Sequence, residues 1–179
     1  MAGSWTSRVD RAKALMEGGQ VERFHCFPHH RPYSVAAHSW NMAALLSALY
    51  PGASKRLLQA VLFHDVAERW TGDSPYPLKH HLCPPAGKLL EKIEHRILEE
   101  GLGIQMDLSP NERDWLKALD MLELFLYCQD EVRMGNQNVW EVINTCRDFL
   151  DQDWIPERIK EWIKNKPWTS RTSDFTWRD

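Results

Sequence analysis

The run Val61-Leu62-Phe63-His64-Asp65-Val66-Ala67-Glu68-Arg69-Trp70-Thr71-Gly72-Asp73 sets an imidazole and three carboxylates into an otherwise apolar stretch. Imidazole nitrogen and carboxylate oxygen are ligands for divalent transition metals, and a bound cation makes water reactive toward phosphate esters near neutral pH. Adjacent residues on a helix project about 100° apart, so His64 and Asp65 supply two corners of a site at most. The remaining donors must come from other elements.

Two candidates stand on apolar faces. Val35, His38, Met42, Leu45 and Leu49 recur at spacings of three and four, which turns His38 inward with the stripe. Asp120 is flanked at four-residue spacing by Leu116 and Leu124, where an unpartnered carboxylate would be costly. His38, His64, Asp65 and Asp120 thus form a candidate metal set of two nitrogens and two oxygens, with Glu123, one turn past Asp120, as substitute for the last. Such a mixed set suits Zn, Co or Mn, with Mg as a candidate second ion. Glu68, four residues after His64, is placed to position water or move a proton, and Asp73 to hold water or a sugar hydroxyl.

The elements that carry these residues read as helices throughout. The patterning predicts helices over 7–17, 34–49, 54–70, 86–100, 110–134, 138–150 and 156–164. Gly18-Gly19, Pro51-Gly52, Gly72 and Gly101 punctuate them. Ser109-Pro110-Asn111-Glu112 has the residues of a capping box with proline at the first helical position. A His-rich loop, 24–32, precedes the His38 helix, and a proline-broken loop, 74–85, follows the His64 segment. Alternating strand patterns with hairpin turns are absent, so an all-α bundle with the metal site in its core is expected.

A chain of 179 residues, 43% of them hydrophobic, is long enough for one domain with a substantial core, and a single domain over 1–179 is expected. A net charge of -3 argues against binding nucleic acid polymers and leaves room for a small anionic substrate met by local cations. Cys26, Cys83, Cys128 and Cys146 form no CxxC pair and no long apolar stretch occurs, so a cytoplasmic protein with reduced thiols and no membrane partner is expected.

In chain order, His38, His64-Asp65 and Asp120 resemble the H…HD…D pattern of the HD-domain phosphohydrolases. Ala37-His38-Ser39 and the stretch from His64 to Pro75 resemble the YfbR-type 5′-deoxynucleotidases. The resemblance spans Arg23 to Asp120, about half the chain. It implies that Arg23 binds phosphate. It further implies a deoxynucleotide substrate and a symmetric homo-oligomer built on dimers, for which an apolar face on a terminal helix would serve.

Within that group, the compact length, Lys79 and Lys117 resemble the phage dATP triphosphohydrolases (DatZ). This implies hydrolysis of dATP to deoxyadenosine and triphosphate, depleting the dATP pool of a phage with 2-aminoadenine DNA, in the host cytoplasm. Arginine can fork across two phosphate oxygens whereas lysine acts as a point charge, so Arg23, Lys79 and Lys117 are the candidate phosphate contacts. Phe24 stands where those enzymes carry tryptophan, which makes it the candidate aromatic beside the sugar and a departure in how the sugar is met.

Two other readings stay open: a 5′-deoxynucleotidase releasing orthophosphate from dNMPs, and a nucleotide-binding sensor without turnover. His29-His30 and His80-His81 lie in polar loops and read as loop residues rather than a second metal cage. The charged helix over 88–100 reads as a solvated surface.

Overall fold

The structure, a computed structural model, describes residues 8–75, 78 and 82–165. Eight α-helices follow in order among them: α1 (Arg8–Gly18), α2 (Val35–Leu49), α3 (Lys55–Phe63), α4 (Glu68–Thr71), α5 (Pro84–Arg96), α6 (Pro110–Arg133), α7 (Trp140–Leu150) and α8 (Glu157–Lys164). A wider π turn, Ile97–Gly101, extends α5. No strand occurs among the described residues; a single antiparallel bridge joins Glu22 to Ser34. The expected all-α class is what the chain adopts.

Side-chain caps start the helices that carry the site. Ser34 Oγ accepts from the Ala37 N–H, and Ser54 Oγ from the Leu57 N–H at 3.0 Å. At α6 the capping box is complete: Glu112 N–H donates to Ser109 Oγ at 3.3 Å and the Glu112 carboxylate accepts from the Ser109 N–H at 2.9 Å. Each cap satisfies backbone donors that the first helical turn leaves over.

The main core lies where α6 packs on α2, α3 and α7. Met42 and Leu46 from α2, Leu57 and Val61 from α3, Leu119 and Leu122 from α6 and Ile143 from α7 are all buried there. A second cluster sets Val66 and Ala67 against Ala14, Leu98, Leu102 and Ile104. It clamps the turn that follows His64 between α1 and the end of the α5 region. Ile159 of α8 is buried and Trp162 and Ile163 pack on the main core, so the terminal helix turns its apolar face inward.

One boundary differs from expectation. The helix predicted over 54–70 is interrupted: α3 ends at Phe63, and backbone bonds from Val66 to Phe63, Glu68 to Asp65, Arg69 to Val66 and Trp70 to Ala67 close a tighter i to i−3 turn before α4. Apolar periodicity runs through this turn unbroken, because Val66 and Ala67 are as buried as a helix interior would make them. The stretch 88–100 was expected to be a solvated surface; no residue of α5 is buried, and Leu89 and Ile93 are exposed on it, but the π turn that follows buries Leu98 against Val66 and Ala67.

Candidate metal centre

α2 delivers His38 to the interior: the ring is fully buried, one turn after Val35 and one turn before Met42. His64 caps the C-terminal end of α3, and the turn beyond it brings in Asp65. α6 contributes Asp120, which is partly exposed. The donor atoms of His38, His64 and Asp65 all lie within 4.8 Å of one another. His64 Nε2 is 3.2 Å from Asp65 Oδ2, and His38 Nε2 is 3.9 Å from the same oxygen and 3.1 Å from Asp120 Oδ1. Three expected ligands form a tight trio, and Asp120 joins it through His38.

The two rings are held by their other nitrogens. His64 Nδ1 lies 3.1 Å from the Val61 carbonyl, which can only accept, so Nδ1 carries a proton there. His38 Nδ1 lies 2.7 Å from Glu123 Oε2. Both Nε2 atoms are therefore turned toward the carboxylates. They are buried without a hydrogen bond of good geometry. Paired buried nitrogens facing carboxylate oxygens are a fitting donor set for a divalent transition metal.

Glu123 does not substitute for Asp120 as a ligand. It lies on the far, Nδ1 side of the His38 ring, 2% exposed, where Tyr33 Oη–H donates to it and Asn41 Nδ2 donates at 2.9 Å. Its spacing from Asp120, three residues along α6, rotates it off the line of Asp120 and toward α2. Glu123 was expected as a substitute ligand, and it lies instead against Nδ1, on the side of the His38 ring away from Asp65 and Asp120. The available signal was a second carboxylate on the apolar face of α6.

Positive charge enters through Arg23, whose side chain is 14% exposed. Its guanidinium hydrogen-bonds Asp65 and lies 3.5 Å from Asp120 Oδ1. Burial alone would weaken the charge on Arg23, but Asp65, Tyr33, Asp120 and Glu68 together push its pKa well above the usual value. Burial likewise opposes ionisation of Asp65, yet His64 and Arg23 hold it well below the ordinary carboxylate range. The same exchange acts on His64, where burial lowers the pKa and Asp65 overrides it, raising it to about 9. Asp120 is also lowered: burial opposes the shift, while the neighbouring His38 and the charge of Arg23 outweigh it.

The other expected site residues divide. Glu68 is 5% exposed and close enough to Arg23 to reinforce its charge. Asp73 Oδ2 accepts the Phe24 backbone N–H at 3.0 Å and lies 3.4 Å from His25 Nδ1. The Phe24 ring stacks on Phe27, with centroids 4.6 Å apart, and meets His29 and Tyr127 edge-on. Lys117 is exposed on α6, one turn before Asp120. Lys79 and the His80-His81 pair fall outside the described residues.

The loop that carries Arg23 and Phe24 is tied to α6, which periodicity did not reveal. Glu131, fully buried, accepts the His30 N–H at 2.8 Å, and Tyr127 Oη donates to the Arg31 carbonyl at 2.9 Å. Arg31 also lies over the Tyr127 ring, 4.7 Å from its centroid. His29 is consumed in the same anchor, 2.7 Å from Tyr127 Oη, which accords with a loop role for that pair. A cavity of about 360 Å³ between α2, α6 and α8 is bordered by Asn41, Glu123 and Trp162 but by none of the four metal donors.

The HD domain family model matches residues 20–100, which takes in Arg23, His38, His64, Asp65, Glu68 and Asp73. The chain is 25% identical to a dATP triphosphohydrolase of Cyanophage S-2L, over 68% of this chain and 71% of that one. It is 29% identical to a 5′-deoxynucleotidase of Pectobacterium atrosepticum, over 65% of this chain and 69% of that one. Among solved structures, the Cyanophage S-2L HD phosphohydrolase DatZ, bound to dA and one catalytic Zn²⁺ ion, shares the fold at a TM-score of 0.61 and 21% identity, covering 89% of this chain and 92% of that one. The PH0347 protein of Pyrococcus horikoshii matches with a TM-score of 0.66 at 18% identity, covering 88% and 96%.

Proposed function

Starting from a chain that carries an HD domain and is related to phosphohydrolases of deoxynucleotides, we propose that it is a divalent-metal-dependent dATP triphosphohydrolase, cleaving dATP to deoxyadenosine and triphosphate. The observation that carries hydrolysis is the pair of buried Nε2 atoms of His38 and His64 facing Asp65 and Asp120. Those four residues would hold the cation, with Zn, Co or Mn matching their donor types. A bound cation supplies Lewis-acid polarisation of a phosphoryl oxygen and a lowered pKa for its water.

The chain's own groups complete the chemistry in this reading. Glu68, buried beside the His64–Asp65 turn, takes the proton from the attacking water. Arg23 sits against Asp65 and Asp120, the two carboxylates that would hold the cation, and from there its guanidinium meets a phosphate oxygen of the substrate. Lys117, one turn along α6 and exposed, reaches a longer phosphate tail, and Lys79 serves the same end. Asp73 shapes the Arg23–Phe24 loop and presents a carboxylate oxygen to the sugar.

A 5′-deoxynucleotidase acting on dNMPs is the second reading, favoured by the identity to the Pectobacterium enzyme. A sensor without turnover is the third, and a buried Glu68 next to the donors speaks against it, since binding alone does not need a proton acceptor. Incubation with dATP, the other dNTPs, NTPs and dNMPs in the presence of Co, Mn, Zn or Mg separates them. Tripolyphosphate released from dATP supports the proposal, orthophosphate from dNMPs alone supports the second reading, and no product from any substrate supports the third.

A further inference from the structure

We propose that Glu123 is a positioning residue for the metal centre: it holds the proton of His38 on Nδ1 and the ring at a fixed angle, so that Nε2 is presented to the cation. The inference rests on the metal reading of His38 and goes beyond it, because Glu123 touches neither a cation nor substrate. Three observations carry it. The carboxylate is 2% exposed, so its position is set by the protein and not by solvent. Its Oε2 takes the His38 Nδ1 contact at 2.7 Å together with the Tyr33 hydroxyl, and its Oε1 takes Asn41 Nδ2 at 2.9 Å. Tyr33 is itself immobilised by stacking on Tyr127, with centroids 3.9 Å apart and rings 14° from parallel.

An ionised carboxylate has only acceptors, so the shared proton between Glu123 and His38 Nδ1 must come from the imidazole. That leaves the lone pair on Nε2, which points at Asp120 and Asp65. His64 obtains the same tautomer from a neutral backbone carbonyl at 3.1 Å. The negative partner stabilises the partial positive charge that a ligating imidazole acquires. The two histidines therefore differ in what sets their orientation, one by an adjacent peptide and the other by a side chain from α6. A substitution can reach only the second.

Glu123→Gln tests the charge with little change of shape. The amide oxygen can take the place of Oε2 and still accept from Tyr33 and His38, while its NH₂ faces Asn41, whose own amide turns over to accept. Titration of the full-length, metal-stripped protein with Co(II), followed by visible absorption, is expected to show affinity lowered roughly 10- to 100-fold in the variant. The thermal midpoint of the metal-free form should stay within about 3 °C of wild type, the shift that ~1 kcal/mol produces at this size. Equal Co(II) affinity in the two proteins overturns the proposal while leaving the metal site standing. Failure of wild type itself to bind Co(II) overturns the metal reading as well. A measurement independent of any variant is the histidine ¹H–¹⁵N spectrum of the Zn-loaded wild-type protein. His38 should carry its proton on Nδ1 in a strong hydrogen bond, and a proton on Nε2 instead sinks the proposal.

Discussion

The backbone N–H of Phe24 donates to Asp73 Oδ2 at 3.0 Å, and Phe24 holds that bond from the left-handed region, at φ 62°. No other non-glycine residue among those described has a positive φ. For a bulky side chain this conformation costs on the order of 1 kcal/mol or more, and it persists only when neighbours enforce it. Asp73 is the enforcing partner, and the residue immediately before the strained one is Arg23. The bond thus links the turn after α4 to the aim of a guanidinium that lies on Asp65.

Asp73→Ala is expected to lower kcat/KM for the nucleotide substrate by tens of fold. A hydrogen bond to a charged acceptor is worth about 1.5–3 kcal/mol, and its loss lets the Phe24 backbone relax and carry Arg23 away. Asp73→Asn retains an acceptor oxygen for the Phe24 N–H and should lose less than Ala. Equal rates for Ala and wild type would show that the loop is aimed by something else.

The raised pKa of His64 makes the metal-free protein more stable at neutral than at alkaline pH. Its ordinary value is near 6.5 and its folded value about 9, so the stabilisation is fully present below 6.5 and disappears as pH rises through 9. The total is at most about 3 kcal/mol, shared with Asp65 and not to be counted twice. Denaturation of EDTA-treated protein between pH 6 and 10 should show the decline, and His64→Ala should flatten it. Cation binding needs the neutral imidazole, so metal uptake below pH 9 should release a proton, measurable in weakly buffered solution.

Much of this centre was readable from residue types. His38, His64, Asp65 and Asp120 converge as their placement on apolar faces required, because burying an imidazole or carboxylate demands partners and the partners are one another. What could not be read was the turn at Val66 and Ala67. Both are apolar and buried, so hydrophobic periodicity continues across a point where the hydrogen-bond pattern changes. Glu123 was visible as a carboxylate in the α6 stripe, yet which face of the His38 ring it meets depends on the crossing of α2 and α6. Glu131 and Tyr127 left no local trace, since their partners His30 and Arg31 lie about a hundred residues earlier.

Gly18 is required by proximity. A Cβ there would sit 2.6 Å from Val66 Cγ1 and 2.7 Å from the Val66 carbonyl oxygen, and the second contact is backbone that cannot rotate away. Gly18→Ala should therefore destabilise by about 1–3 kcal/mol through overpacking, lowering the thermal midpoint by roughly 2–12 °C. Because Val66 follows Asp65 directly, Co(II) affinity should fall along with stability. Gly19→Ala, which meets the Ala36 Cβ at 3.0 Å, has a side-chain neighbour instead and should be milder. A Gly18→Ala protein with an unchanged midpoint would show that α1 can move off the turn.

Glu131 anchors the loop that leads into α2. It is fully buried and accepts from the His30 N–H at 2.8 Å, the Arg31 N–H at 3.3 Å and Asn136 Nδ2 at 3.0 Å. Burial pushes its pKa up, but these donors outweigh it and hold the carboxyl below its ordinary value. Glu131→Ala leaves several buried donors without an acceptor, a loss of about 3 kcal/mol or more. Glu131→Gln keeps the shape but places an NH₂ against at least one donor, so it should lose less than Ala and more than a surface change. The loop begins at Arg23 and ends at the helix bearing His38, so hydrogen exchange should quicken at the His30 and Arg31 amides before it does in the α6–α7 core. Uniform acceleration across the whole chain would mean that Glu131 supports global stability alone, with no separate hold on the loop.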